Sequence, residues 1–470
     1  MTEAQKPANE LSSRRIVGFA CNQGFVFFLF YMGLNRPLDL GAFSFERADL
    51  AFVLLFMVVG FGVPRALPHK ARETVLARPF MFAYAAIMAI ASLLPTLFPD
   101  APQALIVAEG ALIGIPNSLL LTGWGRSFGR VSTRTSVPEV FTGSLLGAFL
   151  CVVFSFVTTS EMLIAIRLLP IISALYIYAS DPGDRAPLAA NESVREQAGN
   201  LTLKILSGTL LFGMAAGLME TFGTDPGTAA SPHYQLSMVL FGAFLIGSIS
   251  LLTSDGFGKG AALNKTYRLA VFLMLFGTLM VPLAESGAVP LPGDAVVLAG
   301  YLGLEAVLIS LFLVMASIEG IDAFASFSVG FTALFAGELA GVLVANGIDA
   351  AWDMGTTPYV VVVIAGTLVL LSYVFLFGER DFSDLSEIVT DRDEFDLVCT
   401  HISNQAKLSK REAEILPYAL HGRTSERIAT ELGISKSTVD THLRRIYGKT
   451  GVHSRQELID LGEKIGKKLS

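Results

Sequence analysis

Twelve stretches of about 20 mostly apolar residues, the length that crosses a bilayer, occupy the first 380 or so of the chain's 470 residues. Six lie near 16–34, 49–63, 79–97, 103–123, 140–158 and 161–178, and six near 201–222, 235–253, 267–283, 295–317, 323–346 and 359–377. Hydrocarbon offers no water to a peptide group, so segments of this kind satisfy their backbones internally, as helices. The expected fold is therefore all-α, a twelve-helix transmembrane bundle in two six-helix halves, 1–178 and 201–378, with a polar loop at 179–200 between them. Charged residues make up only 16% of the chain, against roughly 25% in soluble domains, which excludes an ordinary water-soluble protein.

The basic residues between the stretches orient them, because cytoplasmic loops carry Lys and Arg in excess. With the N-terminus inside, inner connections hold Arg65, Lys70, Arg72 and Arg78, then Arg126, Arg130 and Arg134, then Arg185 and Arg195, then Lys259, Lys265 and Arg268. Outer connections hold only Arg36 and Arg47. An even number of spans returns the C-terminus to the cytoplasm. The polar start, with Lys6, Arg14 and Arg15, precedes a run that reads as a first span and not as a removed signal peptide. Cys21 and Cys151 fall in apolar spans and Cys399 in a linker, and their spacing builds neither a disulfide framework nor a metal site.

Six spans, a longer inner loop and six more resemble the layout of the major facilitator superfamily, in which two halves enclose a cavity. That family's Gly-Asp-Arg signature is absent after the second span, where the chain reads GFGVPRALPHKARE. The resemblance thus implies the fold without implying transport.

Ionisable groups inside spans are costly and by default mark a pathway or binding site. Glu109 and Arg167 are expected roughly 10 Å in from the outer surface at 1.5 Å per residue, Glu220 near the outer end of its span, and Glu305 and Glu338 near mid-bilayer. These five are the candidate ligand-sensing residues, lining a polar cavity reached from outside. The plainer alternative is that Arg167 pairs with a carboxylate for packing, Glu220 reaches interfacial water and the others line an unused crevice. Gly110, Gly114, Gly337 and Gly341 accompany the acids and suit close helix approach. Trp124, Arg126 and Arg130 read as an interfacial anchor.

Beyond the last span the charge changes character. Residues 379–396 hold eight acids and two arginines, within a linker taken as 379–405. A solvated tether is the plain reading of such a run, and docking against the basic tail is the sharper one. Residues 406–470 then hold thirteen Lys and Arg against eight Asp and Glu, the balance a nucleic-acid partner favours.

Ser409 with Glu412 forms an S-x-x-E capping box ahead of Ile415, Leu416, Ala419 and Leu420, so a helix should run to about His421. A second, short helix begins at Thr424 or Ser425, buries Ile428, Ala429 and Leu432, and ends at Gly433. Ser435 caps a third, on which Val439, His442, Leu443 and Ile446 face the core while Ser437, Asp440, Thr441 and Arg444 form a polar stripe suited to the major groove. Arg445 and Lys449 flank that stripe for phosphate contacts. Ser454 and Glu457 start a last helix carrying Leu458, Ile459 and Leu461.

The tail resembles the LuxR/FixJ-type helix-turn-helix domain through Leu408, Arg411, Glu412, Glu414, Ile415 and Leu416, then Gly422, Ile428, Ala429 and Leu432, then Ile434, Ser435, Ser437, Thr438, Val439 and His442, then Ile446, Tyr447, Lys449, Val452, Arg455 and Leu458. The resemblance implies four helices, the third reading promoter DNA and the fourth pairing two protomers as a homodimer. It puts Asp440, Thr441 and Arg444 at base-reading positions, and Thr424, Ser425 and Arg427 on the backbone. Asp440 and Glu426 stand where that family commonly has basic residues, which implies a shifted sequence preference and weaker nonspecific binding.

The resulting expectation is a membrane-bound one-component transcription regulator of the bacterial inner membrane, with both termini cytoplasmic. It senses an unidentified small molecule through the bundle and binds promoter DNA through the tail. A secondary transporter with a fused DNA-binding tail is the alternative. An enzyme is not expected: the sequence offers no nucleophile with a base, no metal-ligand cluster and no phosphate-binding glycine loop, and it implies no cofactor and no metal.

Overall fold

The computed structural model describes residues 11–33, 35–39, 41, 44–94, 104–156, 159–177, 192–221, 231, 233–253, 259–319, 323–352, 357–375 and 395–469. Residues 179–191 of the expected polar loop and 379–394 of the acidic run lie outside the described residues, and the rest of that loop, 192–200, is helical.

The apolar stretches are helices in the expected order. They are α1 (Ser13–Phe27, continued by a π-helical turn, Phe28–Met32), α2 (Ala48–Ala66), the short connecting α3 (His69–Val75), α4 (Arg78–Ala91), α5 (Ala104–Gly129), α6 (Thr133–Phe154) and α7 (Thr159–Tyr176). Then come α8 (Glu192–Thr221), α9 (Tyr234–Thr253), α10 (Lys259–Glu285), α11 (Gly293–Glu319), α12 (Ala323–Trp352) and α13 (Thr357–Phe375). Among the described residues nine helices are long and apolar enough to cross a membrane, and α4, α7 and α13 contribute shorter apolar segments. A two-residue antiparallel ladder, β1 (Leu38–Asp39) with β2 (Ser44–Phe45), pairs Leu38 with Phe45 in the loop before α2.

The packing repeats. In the first set α1 packs on α6 and α7, α2 on α5, and α4 on α5 and α7; in the second α8 packs on α12 and α13, α9 on α11, and α10 on α11 and α13. Each pairing in one set thus has its counterpart in the other, which is the signature of two related halves. The sets meet where α2 packs on α12 and α6 on α9. Phe61 on α2 stacks with Phe331 and Phe335 on α12, with ring centroids 5.5 and 6.0 Å apart, so an aromatic column fills part of this seam.

Association of apolar helices in lipid gains little from the hydrophobic effect and rests on close packing and polar contacts between helices. Both are present. A Cβ on Gly217 of α8 would fall on the Glu338 carbonyl of α12, and one on Gly337 on the Leu210 carbonyl, so these backbones touch because no side chain intervenes. Gly110 and Gly114 face Phe52 and the Val53 carbonyl of α2 in the same way. At the end of the bundle where α1 begins, buried Arg15 makes a two-pronged pair with Glu139 of α6, at 2.7 and 2.8 Å, and the Ser12 N–H donates to the same carboxylate at 2.6 Å.

Trp124 departs from the sequence expectation. It is fully buried, its ring against Phe19 and Phe128 and its indole N–H donating to Ser173 at 2.9 Å, so it is part of the core and not an interfacial anchor. Arg126 pairs with Glu73 of α3 at 2.6 Å.

The tail has a separate core. α14 (395–405), α15 (Lys410–Leu420), α16 (Ser425–Leu432), α17 (Lys436–Thr450) and α18 (Arg455–Leu469) bury Ile402, Ile415, Leu416, Ile428, Val439 and Leu458 among one another. Residues 395–405, expected to be linker, form a helix that sends Val398, Cys399 and Ile402 into this core, and Phe395 stacks on His421 with centroids 4.1 Å apart.

Replacing Gly217 by Ala should lower the unfolding midpoint of the detergent-purified protein, by the equivalent of about 1–3 kcal/mol, because an added methyl has nowhere to go. Gly247→Ala on α9, where nothing lies within 4 Å of the new Cβ, should leave the midpoint in place. Equal midpoints for the two variants would mean that α8 and α12 do not approach this closely.

Candidate nucleic-acid interface and a buried charge cluster

Each tail helix starts on the residue the sequence provides for it. Ser409 accepts the Glu412 N–H while Glu412 accepts the Ser409 N–H at 2.7 Å, a reciprocal capping box. Thr424 accepts from the Arg427 N–H at 3.3 Å and Ser435 from the Thr438 N–H at 3.1 Å. Gly433 and Gly451 end α16 and α17 in the left-handed region, at φ of 62° and 73°, where a side chain would be strained. The tight Gly433–Ser435 turn sets α17 across α16.

On α17 Val439, Leu443 and Ile446 are buried and His442 half-buried. The opposite side presents Ser437, Thr441, Arg444 and Arg445 to solvent, with Asp440 half-buried beside them. The Thr441 hydroxyl is turned back onto the Ser437 carbonyl at 2.9 Å. Near the start of α16 Thr424 is exposed and Ser425 half-buried, and Arg427 pairs with Glu431 at 3.1 Å.

Two charge pairs here are not evident from spacing. Lys436 opens α17, where the helix dipole disfavours a cation, and it reaches Glu426 of α16 at 2.6 Å. That contact holds the Glu426 carboxyl below its ordinary value and the Lys436 ammonium above its own. Lys449, expected to touch phosphate, donates to Glu412 at 2.6 Å and to the Lys407 carbonyl at 3.2 Å, tying the end of α17 to the start of α15. Burial acts against the charged form of Glu412, but the Lys449 ammonium and the Ser409 N–H and hydroxyl outweigh it and pull the carboxyl down to about 2.

The bundle's own charges gather at the end where α2 begins. Glu220, near the C-terminal end of α8, contacts the carboxyl of Glu338 on α12, and Glu305 on α11 lies within their electrostatic reach. Glu338 accepts the Tyr301 hydroxyl at 2.8 Å. Among them sits Arg47, only 1% exposed, which donates to the Phe30 carbonyl at 2.8 Å and to the Glu220 backbone carbonyl at 3.4 Å. Arg47 adopts φ of 54°, a strained conformation that persists only where the surroundings enforce it. They do so here: Asn35 accepts the Arg47 N–H at 3.3 Å, and Glu46 exchanges hydrogen bonds with Asn346 of α12 at 2.7 and 3.2 Å.

Three of the five sequence candidates, Glu220, Glu305 and Glu338, thus come together. Glu109 pairs instead with Arg36, at 2.7 Å. Arg167 stands elsewhere and donates to the Ser92 carbonyl at 3.4 Å. Sequence reasoning missed Arg47, Tyr31 and Tyr301. Arg47 was counted only as a loop charge, and its one local signal is a cation set between Glu46 and Asp49 just ahead of an apolar helix. Tyr31, Arg47, Ala216, Glu220, Leu298 and Tyr301 are among the residues enclosing a cavity of about 50 Å³.

Residues 406–461 match the family described as bacterial regulatory proteins, luxR family. The tail is 46% identical over 61 residues to the Fimbriae Z protein of Escherichia coli K12, covering 13% of this chain and 29% of that one. It is 33% identical over 91 residues to the HTH-type transcriptional activator RamA of Corynebacterium glutamicum, covering 17% and 32%. The chain therefore spans about a third of the length of these curated relatives. The helices before the tail superpose on the human organic anion transporter MFSD10 (TETRAN) with a TM-score of 0.51 and 12% identity, over 79% of this chain and all of that one. The molecule is a multi-pass membrane bundle of major facilitator fold carrying a DNA-binding domain. That domain, 406–461, is a LuxR-type helix-turn-helix.

A carboxyl held low stabilises the fold only while charged, so the Glu412 contribution is present above about 4.5 and disappears as pH falls towards about 2. For the tail expressed as 395–470, which has its own core, the unfolding free energy should fall across that window. Glu412→Gln should flatten the fall and cost about 1 kcal/mol at neutral pH, allowing for solvent around the Lys449 ammonium. Denaturant titrations at several pH values measure both.

Proposed function

We propose that the chain is a membrane-bound, one-component transcription regulator that senses a small molecule through its helical bundle and binds promoter DNA through the LuxR-type tail. The observation that carries this reading is the complete helix-turn-helix, with its caps, core and exposed polar stripe, on the same chain as the membrane bundle. Twelve spans with both termini in the cytoplasm of a bacterial inner membrane would keep that stripe on the side of the DNA, and the arginines and lysines of the inner connections support this orientation. The proposed DNA-binding residues are Thr424, Ser425, Arg427, Ser437, Asp440, Thr441, Arg444 and Arg445, with Lys449 acting chiefly through Glu412. Two half-sites require two tails, and the half-buried Ile459 and Leu461 on α18 are the proposed pairing surface.

The sensing residues are Glu220, Glu305 and Glu338, joined by Arg47. Glu109 acts on them only through Arg36 and Asp49, and Arg167 drops out of the site. Catalysis forms no part of this reading.

A transporter with a fused regulatory tail is the second reading, favoured by the fold shared with MFSD10. Transcript profiles of cells with and without the protein, taken while candidate compounds are supplied and paired with uptake assays, separate the two. Ligand-dependent transcripts without uptake support the regulator; uptake that survives removal of residues 378–470 supports the transporter.

Within the regulator reading, Arg444→Ala should weaken binding to the cognate promoter tenfold or more, the worth of a side chain that reaches a base edge. Asp440→Lys should instead strengthen binding to unrelated DNA and steepen its salt dependence by about one ion. Electrophoretic mobility or anisotropy titrations at several salt concentrations distinguish these outcomes.

A further inference from the structure

Two residues lining the cavity between the two helix sets each carry a buried polar atom with no hydrogen-bond partner. Arg47 spends its terminal nitrogens on the Phe30 and Glu220 backbone carbonyls, but its Nε is buried with no hydrogen-bond acceptor, and the nearest carboxylate oxygen, on Asp49, stands 3.8 Å away. Glu220 turns its side chain to Glu338, yet its Oε2 is buried with no donor. An unmade hydrogen bond to a buried charged group is expensive, more so than one to a neutral group. Arg47 and Glu220 both line one cavity, and an unpartnered donor and an unpartnered acceptor among its lining residues describe a binding site for a molecule that offers the complementary pair.

Size and charge narrow that molecule. A volume of about 50 Å³ has room for about four water-sized groups, hence a ligand of roughly four to six heavy atoms. A simple anion would satisfy Arg47 but would add a negative charge beside Glu220, Glu305 and Glu338. A simple cation would satisfy Glu220 and leave the Arg47 Nε stranded, next to a second positive charge. A zwitterion satisfies both atoms and adds no net charge.

We propose that this cavity binds a small zwitterionic amino acid, of glycine or β-alanine size, with its carboxylate on the Nε of Arg47 and its ammonium on the Oε2 of Glu220. Tyr31 and Tyr301 also line the cavity, and an aromatic ring nearby favours a cation. Ala216 and Leu298 give part of the wall an apolar surface, and the small volume sets the preference for the shortest members of the class. Tyr31 and Arg47 come from the first helix set, and Glu220 and Tyr301 from the second, so the ligand would bridge them. The inference rests on the reading that the bundle senses a small molecule, and it names the class of that molecule.

Calorimetry and thermal unfolding of the detergent-purified full chain, without DNA, test it with glycine and β-alanine against acetate and methylammonium at equal concentration. Saturable binding of glycine or β-alanine, with a raised unfolding midpoint, is expected, and acetate and methylammonium should bind at least tenfold more weakly. Glu220→Gln should reduce the affinity at least tenfold while leaving the unliganded midpoint within a few degrees. Should that variant fail to fold, the analogue series on the parent protein decides. Absence of binding by both amino acids, binding of either single-charge compound as tight as theirs, or undiminished affinity in a folded Glu220→Gln protein overturns the proposal, leaving the cavity to water. Binding without any transcript response counts against the regulator and not against the site; a transcript response to another compound, without amino acid binding, does the reverse.

Discussion

Arg47 carries a full positive charge into the end of an apolar bundle, and the surrounding structure is arranged around holding it there. A charge cannot leave water without partners, and this one draws them from several places: a carbonyl within the π-helical turn that continues α1, a carbonyl at the end of α8, and Asp49 in the first turn of α2. Meeting those demands forces a left-handed backbone at a residue with a side chain, and Asn35, Glu46 and Asn346 brace the corner. The loop before α2 is thereby fixed to α8 and α12 of the other helix set. Ser231 adds a further tie through its N–H to the Tyr31 carbonyl at 3.0 Å.

The same economy of charge explains why Glu220, Glu305 and Glu338 can lie so close together. Carboxyl groups this close need compensation, which Arg47 supplies by its charge and Tyr301 by donating its hydroxyl to Glu338 at 2.8 Å. Gly213, Gly217, Gly337 and Gly341 let α8 and α12 come near enough for that contact, since a methyl on any of them would meet backbone of the facing helix. The small residues and the acids are thus one arrangement: the glycines set the helix separation, and the separation sets how the carboxyls meet. Sequence inspection found both features and could only place them side by side.

Helix order and the division into two sets were legible because the bilayer imposes one strong rule, that long apolar stretches become helices. The tail was legible for a different reason, its caps and stripes being local. Rotational and long-range facts were not. Depth along a span grouped Arg167 with Glu109, but depth says nothing about which way a side chain faces round the bundle, and the two point to different neighbours. Trp124 looked interfacial because it sits near a helix end among arginines, yet its ring packs inward on Phe19. Glu412 was read for its cap three residues away, and that reading gave no hint of Lys449, which arrives 37 residues later and pairs with this carboxylate in place of the phosphate expected of it. Helix 395–405 was hidden by the acidic run before it, although Val398 and Ile402 already lie one helical turn apart.

A ligand moves an equilibrium only by as much as it prefers one state over another. A site built within one helix set would be carried along unchanged by any shift between the sets, and its occupant could not report on that shift. The cavity at Arg47 is different, because its donor belongs to the first set and its acceptor to the second. Any sliding or rocking at the seams of α2 with α12 and of α6 with α9 alters the distance between the two atoms, and so alters the affinity of a molecule that must touch both. By linkage, the occupant then favours the arrangement in which it fits. On the regulator reading, this is the physical property that a sensing site needs and that a purely structural polar cluster lacks.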